Sequence, residues 1–276
     1  MFCITRSKFL LGLAIPFGAV AAPAQVTGGI TSSAFGWEDG RREQALAAVL
    51  QVAPARWLLL GTVPTLLRAQ SSPSADSRTG FGDLPVYAAL VHAGSGPSRP
   101  TIAVTGSASL PTGDSERGLG RGVSVVSGEV ALGVDPAPGL TVRAGGARLL
   151  RVAGGSPGAV PTSTIFGDVV LGSGSPTNLS LGAFGELRGE AGQTYEPGRG
   201  ISGAIAHTLR SGPTLLLGAG HFLAGPGPAW SFSIGFGTAF GGVAPIGATA
   251  PASRATGGVP HSRGPLTPAL CGITGC

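Results

Sequence analysis

The residues able to do covalent or acid–base chemistry are few in this chain and widely spaced. Gly154-Gly155-Ser156-Pro157-Gly158 fits the G-x-S-x-G pattern, in which a serine on a sharp strand-to-helix turn acts as nucleophile. Here the match lies in a Gly/Pro-rich connection without that context, and Pro157 follows the serine directly, so it reads as chance in a chain holding 49 glycines. The four histidines and three cysteines have no zinc-ligand spacing. Gly118-Leu119-Gly120-Arg121-Gly122 is glycine-rich, but no βα unit surrounds it, so it is a loop and not a nucleotide fingerprint. No dense acidic cluster offers the roughly six oxygens that calcium takes. These patterns assign no catalytic residue, no metal ligand and no cofactor. What remains are isolated charges of both signs, whose chemistry is to pair with one another or to act on a passing solute.

The elements that hold those charges follow from composition and period. Charged residues make up 11% of the 276 residues and hydrophobic ones 42%. That excludes a disordered polyelectrolyte or a charged coiled coil, and leaves too little charge to solvate an ordinary cytosolic globule. The 23 prolines leave little room for long helices. The formal charge is +5, but the arginines are scattered apart from Arg41-Arg42; a nucleic-acid binder would gather them on one face, and none is expected as a partner.

The N-terminus carries Arg6 and Lys8, then the apolar run Phe9 to Ala22, then small residues up to Ala24. That order is an export signal, predicted over residues 1–24 with cleavage after Ala24. No later stretch reaches the roughly 18 uninterrupted apolar residues of a membrane helix. Cys271 and Cys276 fall within the last six residues, where a disulfide could not staple the bulk of the fold.

From residue 25 onward the pattern alternates. In Thr101 to Leu110 one parity reads Thr, Ala, Thr, Ser, Ser and the other Ile, Val, Gly, Ala, Leu. Ser231 to Phe240 sets Ser231, Ser233, Gly235, Gly237 and Ala239 against Phe232, Ile234, Phe236, Thr238 and Phe240. Asn178 to Glu190 sets Ser180, Gly182, Glu186 and Arg188 against Leu179, Leu181, Ala183 and Leu187. Side chains alternate across a strand, so each segment has one apolar face and one small or polar face. Tight Pro/Gly turns near residues 54, 97, 137, 175 and 212 alternate with six mostly longer or more polar connections, predicting about twelve strands. An apolar parity against lipid requires every backbone group to be paired within the sheet, so the sheet must close. The expected fold is therefore all-β: a closed antiparallel transmembrane β-barrel over residues 25–240, following a cleaved signal peptide. Residues 241–276, rich in Gly, Pro, Ala and Thr without alternation, read as a disordered tail.

On this frame the charges acquire places. Glu129, Arg143, Glu186 and Arg188 lie on lumen-facing parity and are candidates for a constriction that selects polar or charged solutes. The alternative is that they satisfy one another inside the barrel. Arg68 and Asp83 are expected to pair between neighbouring strands at the outer rim, with Glu129 and Arg143 diagonal across the turn near Asp135. Asp83, Asp114 and Asp168 join Arg68 as rim or loop anchors, because Asp83 and Asp168 each follow Phe-Gly at an expected strand start. Arg148 breaks parity with Arg143, which predicts a bulge at Gly145-Gly146. Phe232, Phe236 and Phe240 form the expected barrel-assembly signal.

Thr79-Gly80-Phe81-Gly82-Asp83-Leu84, then Ser109-Leu110-Pro111-Thr112-Gly113-Asp114 with Gly118-Leu119-Gly120-Arg121-Gly122, and later Phe166-Gly167-Asp168-Val169 occur in an order that resembles an outer-membrane barrel family. That family is linked to the meta-cleavage pathway of phenol degradation and often labelled "transporter". The similarity runs from about Thr27 to Phe240. The resemblance implies an outer-membrane channel for passive uptake of small, often aromatic or hydrophobic, molecules, with outer-membrane lipid, the barrel-assembly machinery and small-molecule solutes as partners. It implies no catalytic residues. Aromatics are only 6% of this chain, so the girdles at the membrane interfaces are thin. Two alternatives stay open: a structural or surface-interaction barrel with a plugged lumen, and an outer-membrane lipid hydrolase pairing Ser156 with a histidine such as His221 on the lipid face.

Overall fold

The computed structural model describes residues 25–55, 57–92, 100–153, 163–187, 197–225 and 227–238. They contain no helix. The strand segments are β1 (Gln25–Gly36), β2 (Arg42–Ala55), β3 (Leu58–Thr62), β4 (Thr65–Gln70), β5 (Arg78–Phe81), β6 (Leu84–His92) and β7 (Thr101–Leu110). They continue as β8 (Ser124–Ala137), β9 (Leu140–Ala153), β10 (Ser163–Leu171), β11 (Thr177–Leu187), β12 (Arg199–Thr208), β13 (Thr214–Ala224) and β14 (Trp230–Gly237). Every pairing is antiparallel, and β1 pairs with both β2 and β14, so the sheet closes on itself.

The fourteen segments make twelve traversals. β3 and β4 form one traversal, interrupted at Val63-Pro64 because proline has no N–H for the ladder, although the Pro64 carbonyl still accepts from Ala48 N at 3.0 Å. β5 and β6 form another, broken at Gly82-Asp83 by one extra residue. Thr62 faces Val86 and Leu66 faces Phe81, so three residues on one strand oppose four on the other. This bulge switches the inward parity from Gly80 and Gly82 to Pro85, Tyr87 and Ala89. Gln25 and Gly237 lie on one side of the barrel, as an even number of traversals requires. The same side carries the tight turns around Pro138-Gly139 and residues 172–176 and 209–213, the pattern of a periplasmic rim.

Outward parity is apolar and open. Ile30, Leu50, Leu181, Ile205, Leu217 and Phe236 are each 49–59% exposed, far above core values, so hydrocarbon must cover them. Inward parity is mostly small and hydroxylic, with a few rings and some aliphatic side chains such as Val49, Leu59, Leu67, Val170 and Leu216. Those rings lie on glycines directly across the ladder. Phe166 faces Gly145, Phe184 faces Gly200 and Tyr87 faces Gly61. A Cβ at Gly61 would come within 2.3 Å of the Tyr87 ring, and one at Gly200 within 2.7 Å of Phe184. Glycine lets each ring lie flat against the wall instead of projecting across the lumen. On the outside Trp230 covers Gly36 in the same way.

Two expectations about register are corrected here. β9 runs in register through Gly145-Gly146 with both neighbours; the shift falls one turn of the pleat later, where Leu150 is left without an opposite residue on β8. Arg148 therefore points outward opposite Ser163 and needs no bulge. Glu129 lies opposite Ala147, while Gly133 lies opposite Arg143, so the two charges are not diagonal. The turn closes more tightly than expected, at Pro138-Gly139 with Gly139 at φ +75°, which slides the register.

Candidate functional site

The extracellular mouth is shaped by the connection between β7 and β8, residues 111–123, which folds inward. Its Leu119 is 1% exposed and packs on Leu67 of β4, flanked by Ala45 and Ala69. A lone leucine in an otherwise polar, glycine-rich segment drives this: burying it removes apolar surface from water, and Gly80 leaves the space its side chain occupies while Gly82 leaves room for Leu67.

Asp83 pins the segment at both ends. Its Oδ1 accepts from Gly113 N at 3.1 Å and its Oδ2 from Arg121 N at 2.8 Å. Thr112 Oγ1 donates to Gly82 O at 3.1 Å, and Arg78 Nη1 to Arg117 O at 3.2 Å. Within the segment the Asp114 carboxylate accepts from Arg117 N at 3.0 Å, and its carbonyl accepts from Leu119 N at 2.7 Å. The two limbs touch where Gly113 and Gly120 cross; a Cβ on Gly120 would lie 2.5 Å from Asp83 Oδ1 and 2.7 Å from Gly113. Beside Asp83, Arg121 is pulled below its ordinary value by burial, with the Asp83 carboxylate opposing that shift. Its Nη2 is buried without a hydrogen-bond partner among the described residues.

Below the mouth, the wall carries a bidentate ion pair. Arg143 Nε donates to Asp168 Oδ1 at 2.6 Å and Nη2 to Oδ2 at 2.5 Å, with both side chains about 95% buried. The two residues are direct cross-strand partners on β9 and β10, so the sheet register alone brings the guanidinium fork to the carboxylate. The same row continues inward-facing through Gly182, Ser202, Gly220 and Ser231, which offer little bulk beside the pair. Elsewhere on the wall Gln51 Nε2 donates to Tyr87 Oη at 2.7 Å, and on β7 and β8 the Ser107 and Ser127 hydroxyls are 2.7 Å apart.

Of the proposed constriction, Glu129 and Glu186 share one register row with Ala147 and Thr164 between them. Arg143 stands two inward positions nearer the periplasm. Glu186 is buried near the extracellular end of β11, where its Oε2 accepts from Gly198 N at 2.8 Å. Arg188 lies outside the described residues. Asp168 sits inside β10, on Arg143, and not at a rim. Arg68 points outward and does not meet Asp83, because the bulge at Gly82-Asp83 turns that carboxylate inward. Asp83 and Asp114 accept backbone hydrogen bonds from the 111–123 segment. Phe232 and Phe236 face outward on β14; Phe240 lies outside the described residues, as do Ser156, the residues 1–24 read as a signal and the residues 241–276 read as a tail. His221 faces outward at the rim, its Nδ1 against Ala229 O.

Sequence reasoning missed Leu119, Arg121, Gln51 and Tyr87 as shapers of the lumen. A signal existed for the first two, since a single leucine flanked by glycines in a polar loop has to be buried somewhere.

No family model matches this sequence, and no curated protein matches it. Among solved structures the barrel is similar to the COG4313 outer membrane channel from Pseudomonas putida F1, at 15% identity and a TM-score of 0.58, covering 81% of this chain and 98% of that one. It is also similar to the KdgM porin, at 9% identity and a TM-score of 0.51, covering 76% of this chain and 97% of that one. The KdgM porin in complex with disordered oligogalacturonate gives the same TM-score at 10% identity. At such identities the likeness shows the fold, which is a twelve-strand closed barrel of the kind found in outer-membrane channels.

Proposed function

We propose that this protein is an outer-membrane channel for passive uptake of small molecules, narrowed at its extracellular mouth by residues 111–123. The observation that carries this reading is the two-ended clamp of Asp83 on Gly113 and Arg121, which holds the loop against one side of a wall built mostly of Gly, Ser, Ala and Thr with a few aliphatic residues. A stopper filling the whole lumen would need bulky inward residues along the strands. Here the largest rings lie flat on glycines instead.

Small aromatic or hydrophobic compounds are the proposed solutes, following the resemblance to the phenol-pathway barrel family. The aromatic faces of Phe166, Phe184 and Phe222 along the wall suit such cargo; Phe184 and Phe222 meet edge-on at 5.0 Å. Export through residues 1–24, and recognition by the assembly machinery through Phe232, Phe236 and Phe240, belong to the same proposal.

The second reading, a plugged barrel, is favoured by the burial of Leu119 in the mouth. Liposome swelling decides between them. Wild-type protein is expected to admit benzoate or a pentose, and Asp83→Ala to admit them severalfold faster by freeing the loop. Flux only in Asp83→Ala would make the loop a plug. No flux in either correctly folded protein would end the channel reading.

A further inference from the structure

Charge is sorted between the two faces of this wall. Among the described residues, Glu43, Asp83, Glu129, Asp168 and Glu186 all lie on the lumen side, and no outward strand position carries a carboxylate. Outward strand positions carry arginines instead, among them Arg42, Arg68, Arg148 and Arg199. Each stands toward the extracellular end of its strand. Arg42 and Arg199 open β2 and β12, Arg68 lies two residues before the end of β4, and Arg148 faces the first residue of β10. The periplasmic ends of the same face carry His92 and His207. An outward arginine costs about 2–4 kcal/mol at the bilayer midplane and about 0–1 near an interface. That explains why the arginines avoid the middle, but not why they choose one end.

Two of them form a patch. Arg42 lies opposite Gln70, Gln44 opposite Arg68, and Arg68 opposite Thr79, all on outward parity. Arg42 and Arg68 are thus diagonal neighbours, about 7–8 Å apart at the backbone. Neither guanidinium meets a carboxylate among the described residues. The row beneath is apolar, with Leu46 opposite Leu66, 48% and 38% exposed. Beside Arg42 in the other direction is Gly36, covered by the Trp230 ring, a side chain that favours the headgroup boundary. Donors above and greasy surface below fit one kind of ligand: an amphiphile with anionic groups joined to acyl chains.

We propose that the Arg42–Arg68 patch on β2, β4 and β5 binds the phosphate groups of the phosphorylated glycolipid of the outer leaflet, with an acyl chain along Leu46 and Leu66. Two guanidinium forks suit phosphate oxygens, and Gln44, Gln70 and Thr79 supply further donors. The inference rests on placement in the outer membrane and not on the channel reading.

The test is a titration of the detergent-solubilised barrel with diphosphoryl lipid A, with the same lipid after phosphatase treatment, and with inorganic phosphate. Thermal unfolding and native mass spectrometry are the readouts. Lipid A is expected to raise the melting temperature of the wild type and to remain bound in the mass spectrum. The dephosphorylated lipid and inorganic phosphate are expected to do neither. Arg42→Gln/Arg68→Gln, retaining its heat-modifiable mobility, is expected to bind at least about tenfold more weakly. Equal binding of the dephosphorylated lipid, an equal response to inorganic phosphate, or unchanged binding by the double variant overturns the proposal. The first two outcomes are read on the wild type, so the proposal remains falsifiable if the variant does not fold. A protein that shows no heat-modifiable mobility would defeat the outer-membrane placement itself, whereas a folded barrel indifferent to lipid A defeats only this inference.

Discussion

At the scale of single residues, the wall owes its order to a few pairs whose members are far apart in sequence. Arg143 and Asp168 are 25 residues apart and joined by two charge-assisted bonds. Removing the Asp168 charge takes the bidentate carboxylate from a buried guanidinium, which costs more than the intact pair contributes. Asp168→Asn is expected to lower barrel stability by about 3–5 kcal/mol, measured by urea unfolding in lipid vesicles. Arg143→Met/Asp168→Leu is expected to recover a large part of that loss, because both members of the buried pair are removed together. If the double variant is as unstable as Asp168→Asn, breaking the buried pair is not the cause. Asp168 on its own reads in sequence as a strand-start anchor, since Phe-Gly precedes it just as it precedes Asp83. Only one of the two sits at a break in the ladder. The other is mid-strand, and nothing local distinguishes them.

At the scale of the strand, glycine and aromatic residues act as matched halves of a joint. Gly61 on β3 and Tyr87 on β6 are register partners, with no room for a methyl group between them. Gly61→Val is expected to destabilise the barrel by about 1–3 kcal/mol through overpacking. Adding Tyr87→Ala is expected to restore part of it, with both effects read from heat-modifiable gel mobility and urea midpoints. Additive losses would show that the ring does not seat on the glycine. The alternation in Thr101 to Leu110 and Asn178 to Leu187 is legible in sequence because the side-chain period of a strand matches the period of the residue types. The joints are not legible, because each depends on which glycine the ladder brings opposite which ring. The bulge at Gly82-Asp83 hides for the same reason. One extra residue on β5 and β6 is counted only against β3 and β4, and it is this residue that turns Asp83 inward, away from Arg68.

At the scale of the whole molecule, closure is complete between Gln25 and Gly237, with β1 and β14 paired from Gly29 to Gly36. The barrel therefore does not need residues 241–276 to seal it. Deleting them is expected to leave heat-modifiable mobility and urea midpoint unchanged; loss of folding would make that segment part of the assembly. Several features were settled by sequence alone: an all-β chain, about twelve crossings, an apolar parity for lipid and a small parity for the lumen. They are consequences of local residue type, because a lipid-facing strand must be apolar at every second position and turns need Pro and Gly. Tertiary structure alone decided which charges meet, where the 111–123 segment folds and which face the arginines choose. Those outcomes depend on register and closure, and a one-residue slip anywhere around the ring would exchange every partner.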